Sequence, residues 1–357
     1  CDWSSDVCSS DLVVGAGLAG LTAAIFLERN GVEVCVYEAS DRVGGRVTTD
    51  LVDGFRCDRG FQVINPSYSE IKRLKALDGI DFSPINTNIS INNVKFGTAH
   101  WINNLKSLSS FKRGVLNPFL QGVYLTNPET INSKVDHEIK RSFIWGRPGV
   151  PTLGVREFSE GLADRIGNIF LNATVQKVVS GKVYRNFQTE SLDVVLIATD
   201  PTTSAYLTGV KDFEKILPSF TWYHSSSEEI PDAKYLKIRT DSSLVNSVVI
   251  SEVSNSYAPK GTNLIASTSI HPISESEVKK ELAKTWKIQT KTWDLVARYD
   301  LKQSLTYRKS SQTLPSKVGE RLYLAGDHRD IPSQNGAMRS GRRAALNILK
   351  DLKIQNF

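Results

Sequence analysis

The stretch Leu12 to Arg46, LVVGAGLAGLTAAIFLERNGVEVCVYEASDRVGGR, leaves few folds open to this chain. It reads as strand, glycine turn, helix, strand and a second glycine turn. Gly15, Gly17 and Gly20 fit G-x-G-x-x-G at the first junction. Gly15 permits the tight turn out of the strand, Gly17 lets the backbone approach a pyrophosphate, and Gly20 lets the helix pack closely on the sheet. A helix beginning near Leu18 turns the unpaired N–H groups around Leu18 and Ala19, and its dipole, toward negative charge. Leu21, Ala24, Ile25 and Leu27 recur at helical spacing, and Asn30-Gly31 supplies the stop. Val32, Val34 and Val36 then alternate as a strand that ends at Glu38, placed where a carboxylate accepts both ribose hydroxyls. Beside a 2′-phosphate at ~4 Å that carboxylate would be repelled by roughly 1–4 kcal/mol, which argues against NADP and leaves FAD and NAD.

Residues 1–11, CDWSSDVCSSD, have neither periodicity nor the layout of a signal peptide, and they resemble a translated sequencing adapter. They read as an artefactual leader. Asp11 would put an unpaired carboxylate into a central parallel strand, so the first strand is expected to begin at Leu12 or Val13. The chain is long enough for two domains. Its net charge of +6 comes from scattered Lys and Arg with no aromatic interleaving, which reads as a solvated surface and not as a nucleic-acid interface. Outside the leader only Cys35 and Cys57 remain, too few for a disulfide framework or a zinc site. His100, His137, His224, His271 and His328 are scattered without metal spacing, so no metal is expected. With no signal peptide and no run as long as a membrane span, a cytoplasmic location is expected.

Beyond Glu38 and Ala39, the segment Asp41-Arg42-Val43-Gly44-Gly45-Arg46 brings a second glycine loop and two cations, Arg42 and Arg46, that can meet phosphate. Gly60, in the run to Phe61 and Gln62, could admit a flat ring. Together, Gly15 to Gly20, Glu38 and Arg42 to Arg46 resemble the superfamily of flavin amine oxidases, protoporphyrinogen oxidases and phytoene desaturases. The resemblance implies FAD, with adenosine on Glu38 and the isoalloxazine near Cys57 to Gln62. It further implies that Val175 and Thr199 pass the adenosine. Gly326 and Asp327 would meet the ribityl-pyrophosphate region, and Gly336, Ala337 and Met338 would open a helix aimed at the pyrimidine edge. With no cysteine near the C-terminal end, the FAD is expected to be non-covalent.

The fold class expected is α/β: a discontinuous Rossmann-type FAD-binding domain (12–66, 150–215, 318–357) and an α+β substrate domain on a mainly antiparallel sheet (67–149, 216–317). Within it, Tyr68 to Leu77 reads as a helix, and Ile89 to Phe96 as a hairpin about Asn92-Asn93. Val155 to Ile166 reads as a helix, Ile169 to Val179 as a strand, Leu192 to Ala198 as a buried parallel strand, and Tyr235 to Ile270 as three strands. The mixed apolar and basic segment Trp101 to Leu125 reads as substrate-domain helices in preference to a membrane-touching face; beside the family it is shortened between Ser110 and Phe111. Trp293 and Tyr299 are flavin-facing candidates for which core packing is the stronger reading. The function implied is hydride transfer from a substrate C–H to flavin N5, the small-molecule substrate being an amine or an apolar polyene or porphyrinogen. The electron acceptor and any catalytic side chain are unassigned. The alternative is an FAD-binding protein without turnover that acts as a partner or scaffold.

Overall fold

A computed structural model describes residues 11–85, 88–96, 116–179, 182–185 and 188–354. Two sheets organise it. The first has five parallel strands in the spatial order Leu322–Leu324, Val194–Ile197, Asp11–Val14, Val34–Tyr37, Asn168–Phe170. The three central strands are buried at every position, as expected of a parallel sheet covered on both faces. The opening helix, Leu18–Glu28, follows the first glycine turn. It is buried nearly all round, because it lies between this sheet and the C-terminal helix, Gln334–Asp351. That stacking needs backbone contact: a Cβ on Gly20 would stand 1.9 Å from the carbonyl oxygen of Gly15, and one on Gly341 would stand 2.0 Å from that of Ala19.

The second sheet has seven strands in the order Asp294–Tyr307, Lys215–Ser226, Asn263–Ser269, Asn246–Val249, Leu236–Ile238, Ile89–Ile91, Val94–Phe96. All of its pairs are antiparallel except that of Leu236–Ile238 with Ile89–Ile91. One face carries Trp222, Trp286 and Trp293 in a buried cluster under the helix Glu275–Trp286. The Ile89 to Phe96 hairpin forms as expected, with Asn92 and Asn93 both at positive φ. The expected helices are found as Ser69–Leu74 and Arg156–Ala163; the second buries Phe158, Leu162 and nearby Ile166.

Several expectations need correction. The run Ile169 to Val179 is two strands in two sheets: Asn168–Phe170 extends the parallel sheet, while Lys177–Val179 opens a separate antiparallel meander with Lys182–Arg185 and Gln188–Ser191. The strand expected to reach Val253 ends at Val249, where Ile250–Glu252 turns into a 3-10 helix. The long strands Lys215–Ser226 and Asp294–Tyr307 were not expected. Cys35 is disulfide-bonded, while Cys57 is free and buried. His100 and residues 101–115, with the Ser110–Phe111 junction, lie outside the described residues.

The first strand also begins earlier than expected. Asp11 pairs with Val34 and Val194, is buried, and one of its carboxylate oxygens has no partner. Burial, with Asp193 nearby, pushes its carboxyl up to about 6. The folded state therefore holds this proton more tightly than the unfolded chain does. Stability on this account is full below about pH 4 and is lost as pH rises through about 6. Asp11→Val is expected to raise stability by about 1–2 kcal/mol above pH 6 and to have little effect below pH 4, as read by urea denaturation at both pH values.

Candidate functional site: a cleft between the two sheets

A cavity of about 900 Å³ runs from the C-terminal ends of the parallel strands to the face of the large sheet. At its near end two glycine loops are joined by backbone. The N–H of Gly44 donates to the carbonyl oxygen of Ala16 at 2.8 Å, and Gly17 bridges to Gly44. Gly15 has φ +103°, and a Cβ there would lie 2.9 Å from the carbonyl oxygen of Ala198, so this turn accepts no other residue without strain. Beside Gly17, by contrast, a Cβ would meet nothing within 4 Å. The opening helix has no side-chain cap, which leaves the first-turn N–H groups facing this open space.

Glu38 closes the same end. One carboxylate oxygen accepts from the N–H of Ala16 at 2.8 Å, the other from the N–H and hydroxyl of Ser40 at 2.9 and 2.8 Å. Glu38, Ala39, Val175 and Thr199 all line the cavity there. At mid-length Arg46 pairs with Asp327 at 2.6 Å and donates to the carbonyl oxygen of Ser304 at 2.9 Å. Burial would raise the Asp327 carboxyl, but Arg46 beside it holds it below the ordinary value; the same pairing raises the Arg46 guanidinium. The side-chain amide of Gln62 donates to the carbonyl oxygens of Arg46 and Arg59, tying the Gly60 loop to the second glycine loop. Ser333 caps the C-terminal helix by accepting from the N–H of Gly336 at 3.0 Å, so the positive end of that helix points at Gln334 and Ala337 on the cavity wall.

Gly15, Gly17, Leu18, Ala19, Gly44, Gly45, Arg46, Gly60, Phe61, Gln62, Gly326, Asp327 and Ala337 are thus brought together along one cleft. Gly20, Arg42, Gly336 and Met338 lie beside it. Gly20 packs under Gly15, Arg42 pairs with Asp41 at 2.9 Å, Gly336 packs on the carbonyl oxygen of Ile331, and Met338 is fully buried in the core. Trp293 and Tyr299 also stay out of the lining. Trp293 is core, and Tyr299 donates to Asp50 at 2.9 Å. The sequence did not single out Arg59, held bidentate by Asp50 at 2.8 and 3.1 Å. It also missed the far wall of Ile85, Phe119, Leu236, Ile238 and Asn246. Among the described residues no His/Cys/Asp/Glu group could hold a metal, and no helix is long and apolar enough to cross a membrane.

Residues 13–76 match the family described as NAD(P)-binding Rossmann-like domain. Putrescine oxidase of Kocuria rosea is 49% identical over 63 residues, 18% of this chain and 13% of that protein. The flavin-containing amine oxidase A of Sus scrofa is 39% identical over 80 residues, 22% of this chain and 15% of that protein. The stretch that matches is thus similar to the corresponding part of flavin-containing amine oxidases. It spans less than a fifth of the length of these curated relatives. The fold likeness runs further. The crystal structure of an oxidoreductase from Methanosarcina mazei superposes with a TM-score of 0.72 over 95% of this chain and 99% of that one, at 14% identity.

The Arg46–Asp327 pair gives a direct test of how the site is held. Its contribution is present above about pH 4 and is lost as the Asp327 carboxyl protonates in more acid solution. Asp327→Asn is expected to cost about 2 kcal/mol at pH 7, with the gap to wild type closing below pH 4, measured by urea denaturation without added cofactor.

Proposed function

We propose that the chain is an FAD-dependent oxidoreductase that oxidises a small molecule held at the far end of the cleft. One observation carries this reading. An open space beside an uncapped helix N-terminus is framed by two backbone-joined glycine loops, with the Glu38 carboxylate at one end and the Arg46–Asp327 pair at the other. Those residues fit a dinucleotide: amides and Arg46 for phosphates, Glu38 for ribose hydroxyls, and a passage of about 900 Å³. In this reading adenosine lies by Glu38, Ala39, Val175 and Thr199. The pyrophosphate lies by Gly15 to Ala19 and Gly44 to Arg46, and the ring system by Gly60 to Gln62, Gly326, Asp327 and Ala337. Attachment is non-covalent in this reading, which the absence of a cysteine for a thioether among the described lining residues supports. The chemistry a bound FAD supplies is acceptance of a hydride from a substrate C–H bond.

The chain's own part is position and electrostatics. Arg46 fixes Asp327, Gln62 fixes the Gly60 loop, and the Ser333-capped helix sets a positive potential at the wall by Ala337. The apolar far wall excludes water from that end. The strand segments support the division proposed for the chain. The parallel sheet draws on 12–66, 150–215 and 318–357, and the large sheet almost wholly on 67–149 and 216–317.

The visible spectrum of the purified protein, with FAD added, tests this reading; two flavin bands that comigrate with the protein are expected. Gly17→Val is expected to keep the fold, since its side chain enters open space, and to weaken FAD binding by about tenfold or more, since that space is the one the phosphates need. A wild-type protein that takes up no FAD, or a Gly17→Val variant that binds it as tightly as wild type, overturns the assignment.

A further inference from the structure

The large sheet presents one face to the cavity. Strand alternation sends Leu236, Ile238 and Asn246 to that face and Lys237 and Ser247 to the other, where Lys237 lies 4.6 Å from the Trp286 ring centroid and Ser247 accepts from the Trp286 indole N–H. A polar stripe crosses the cavity face on three neighbouring strands: Ser219, Thr221, Thr268 and Asn246, with Asn246 directly opposite Thr268. Three of its members are satisfied. Ser219 donates to the Ser304 hydroxyl at 2.9 Å, and the hydroxyls of Thr221 and Thr268 share a hydrogen bond at 3.4 Å.

Asn246 ends the stripe. It is 7% exposed, lines the cavity, and its side-chain oxygen has no hydrogen-bond partner. Gly122 packs over it so closely that a Cβ there would stand 3.0 Å from the Asn246 amide nitrogen. The neighbouring wall is apolar, with Ile89, Phe119, Val123, Leu236 and Ile238. Buried amide oxygens are paired in most folded proteins, so one that faces a cavity without a protein donor suits a ligand that brings its own. Of the carboxylates lining the cavity, Asp300 is paired with Arg298 and Asp327 with Arg46, while Glu38 and Asp200 accept from backbone N–H groups near the glycine loops and at the start of the helix Pro201–Thr208. None of the four belongs to the segments around Asn246, namely Ile89–Ile91, Asn117–Tyr124, Leu236–Ile238 and Asn246–Val249.

We propose that Asn246 is the polar anchor of the substrate end, and that its ligand is an uncharged, mainly apolar molecule that donates one hydroxyl to the Asn246 side-chain oxygen. The proposal rests on the FAD-oxidoreductase reading, which makes this end of the cleft the substrate end. Titration calorimetry of the full chain with FAD added, using octan-1-ol, octylammonium chloride and putrescine as probes, tests it. Octan-1-ol is expected to bind about tenfold more tightly than either cation. Asn246→Leu should lower octan-1-ol affinity about tenfold. Asn246→Asp, nearly identical in shape, should move the preference to octylammonium, and it decides the matter alone if the Leu variant does not fold. Octan-1-ol that fails to bind, octan-1-ol affinity unchanged in both variants, or putrescine as the tightest ligand overturns the proposal. A sample with Asn246-dependent selectivity but no flavin bands supports the anchor and overturns the cofactor reading.

Discussion

Everything at the glycine-loop end of the cleft depends on two places where backbone touches backbone. The opening helix rests on its own glycine turn through Gly20 and on the C-terminal helix through Gly341, with no side chain between. A methyl group at either position would push the opening helix off its neighbour, and the first-turn amides would move with it. The space beside Gly17 exists because these contacts fix where the helix starts. Such close packing gives a rigid frame whose N–H groups need no rearrangement to meet a charge.

The Arg46–Asp327 pair uses that frame. Its partners are 281 residues apart, one from the second glycine loop and one from the end of the last parallel strand. Asp327 is almost wholly buried and Arg46 is partly open, so the pair keeps a net polar surface inside the cleft while holding both loops in register. Nearby, Asp58 is buried with bonds from Thr49, Tyr257 and the N–H of Val155, and burial pushes its carboxyl up to about 6. It braces the hairpin that leads into Gly60 against the helix Arg156–Ala163. The cleft is thus lined by short-range chemistry and held by long-range bonds.

That division explains what the sequence made legible. The glycine turn, the helix after it, Glu38 and the Leu192 to Ala198 strand could be read because their signals are local: spacing, apolar runs and turn residues. Lys215–Ser226 could not. It is buried on both faces, under the tryptophan cluster on one side and against the cavity on the other, and Pro218 sits at a register shift, so no period of two survives. Asn246 carried no signal, because its meaning comes from Thr268 across a strand pair and from Gly122 packed over it. Gly341 looked like an ordinary helix residue. The split of Ile169 to Val179 was hidden because both pieces are extended, and only their partners differ.

The order of strands in the parallel sheet bears on the timing of synthesis. Its five strands are drawn from three widely separated parts of the chain, and one edge, Leu322–Leu324, is translated after the other four. The opening helix leaves the ribosome well before the helix that covers its outer face, Gln334–Asp351. Until that helix is made, an apolar helix buried nearly all round in the finished protein stands uncovered on one side. Slow closure through distant contacts is the cost of a cleft framed by segments so far apart in the chain.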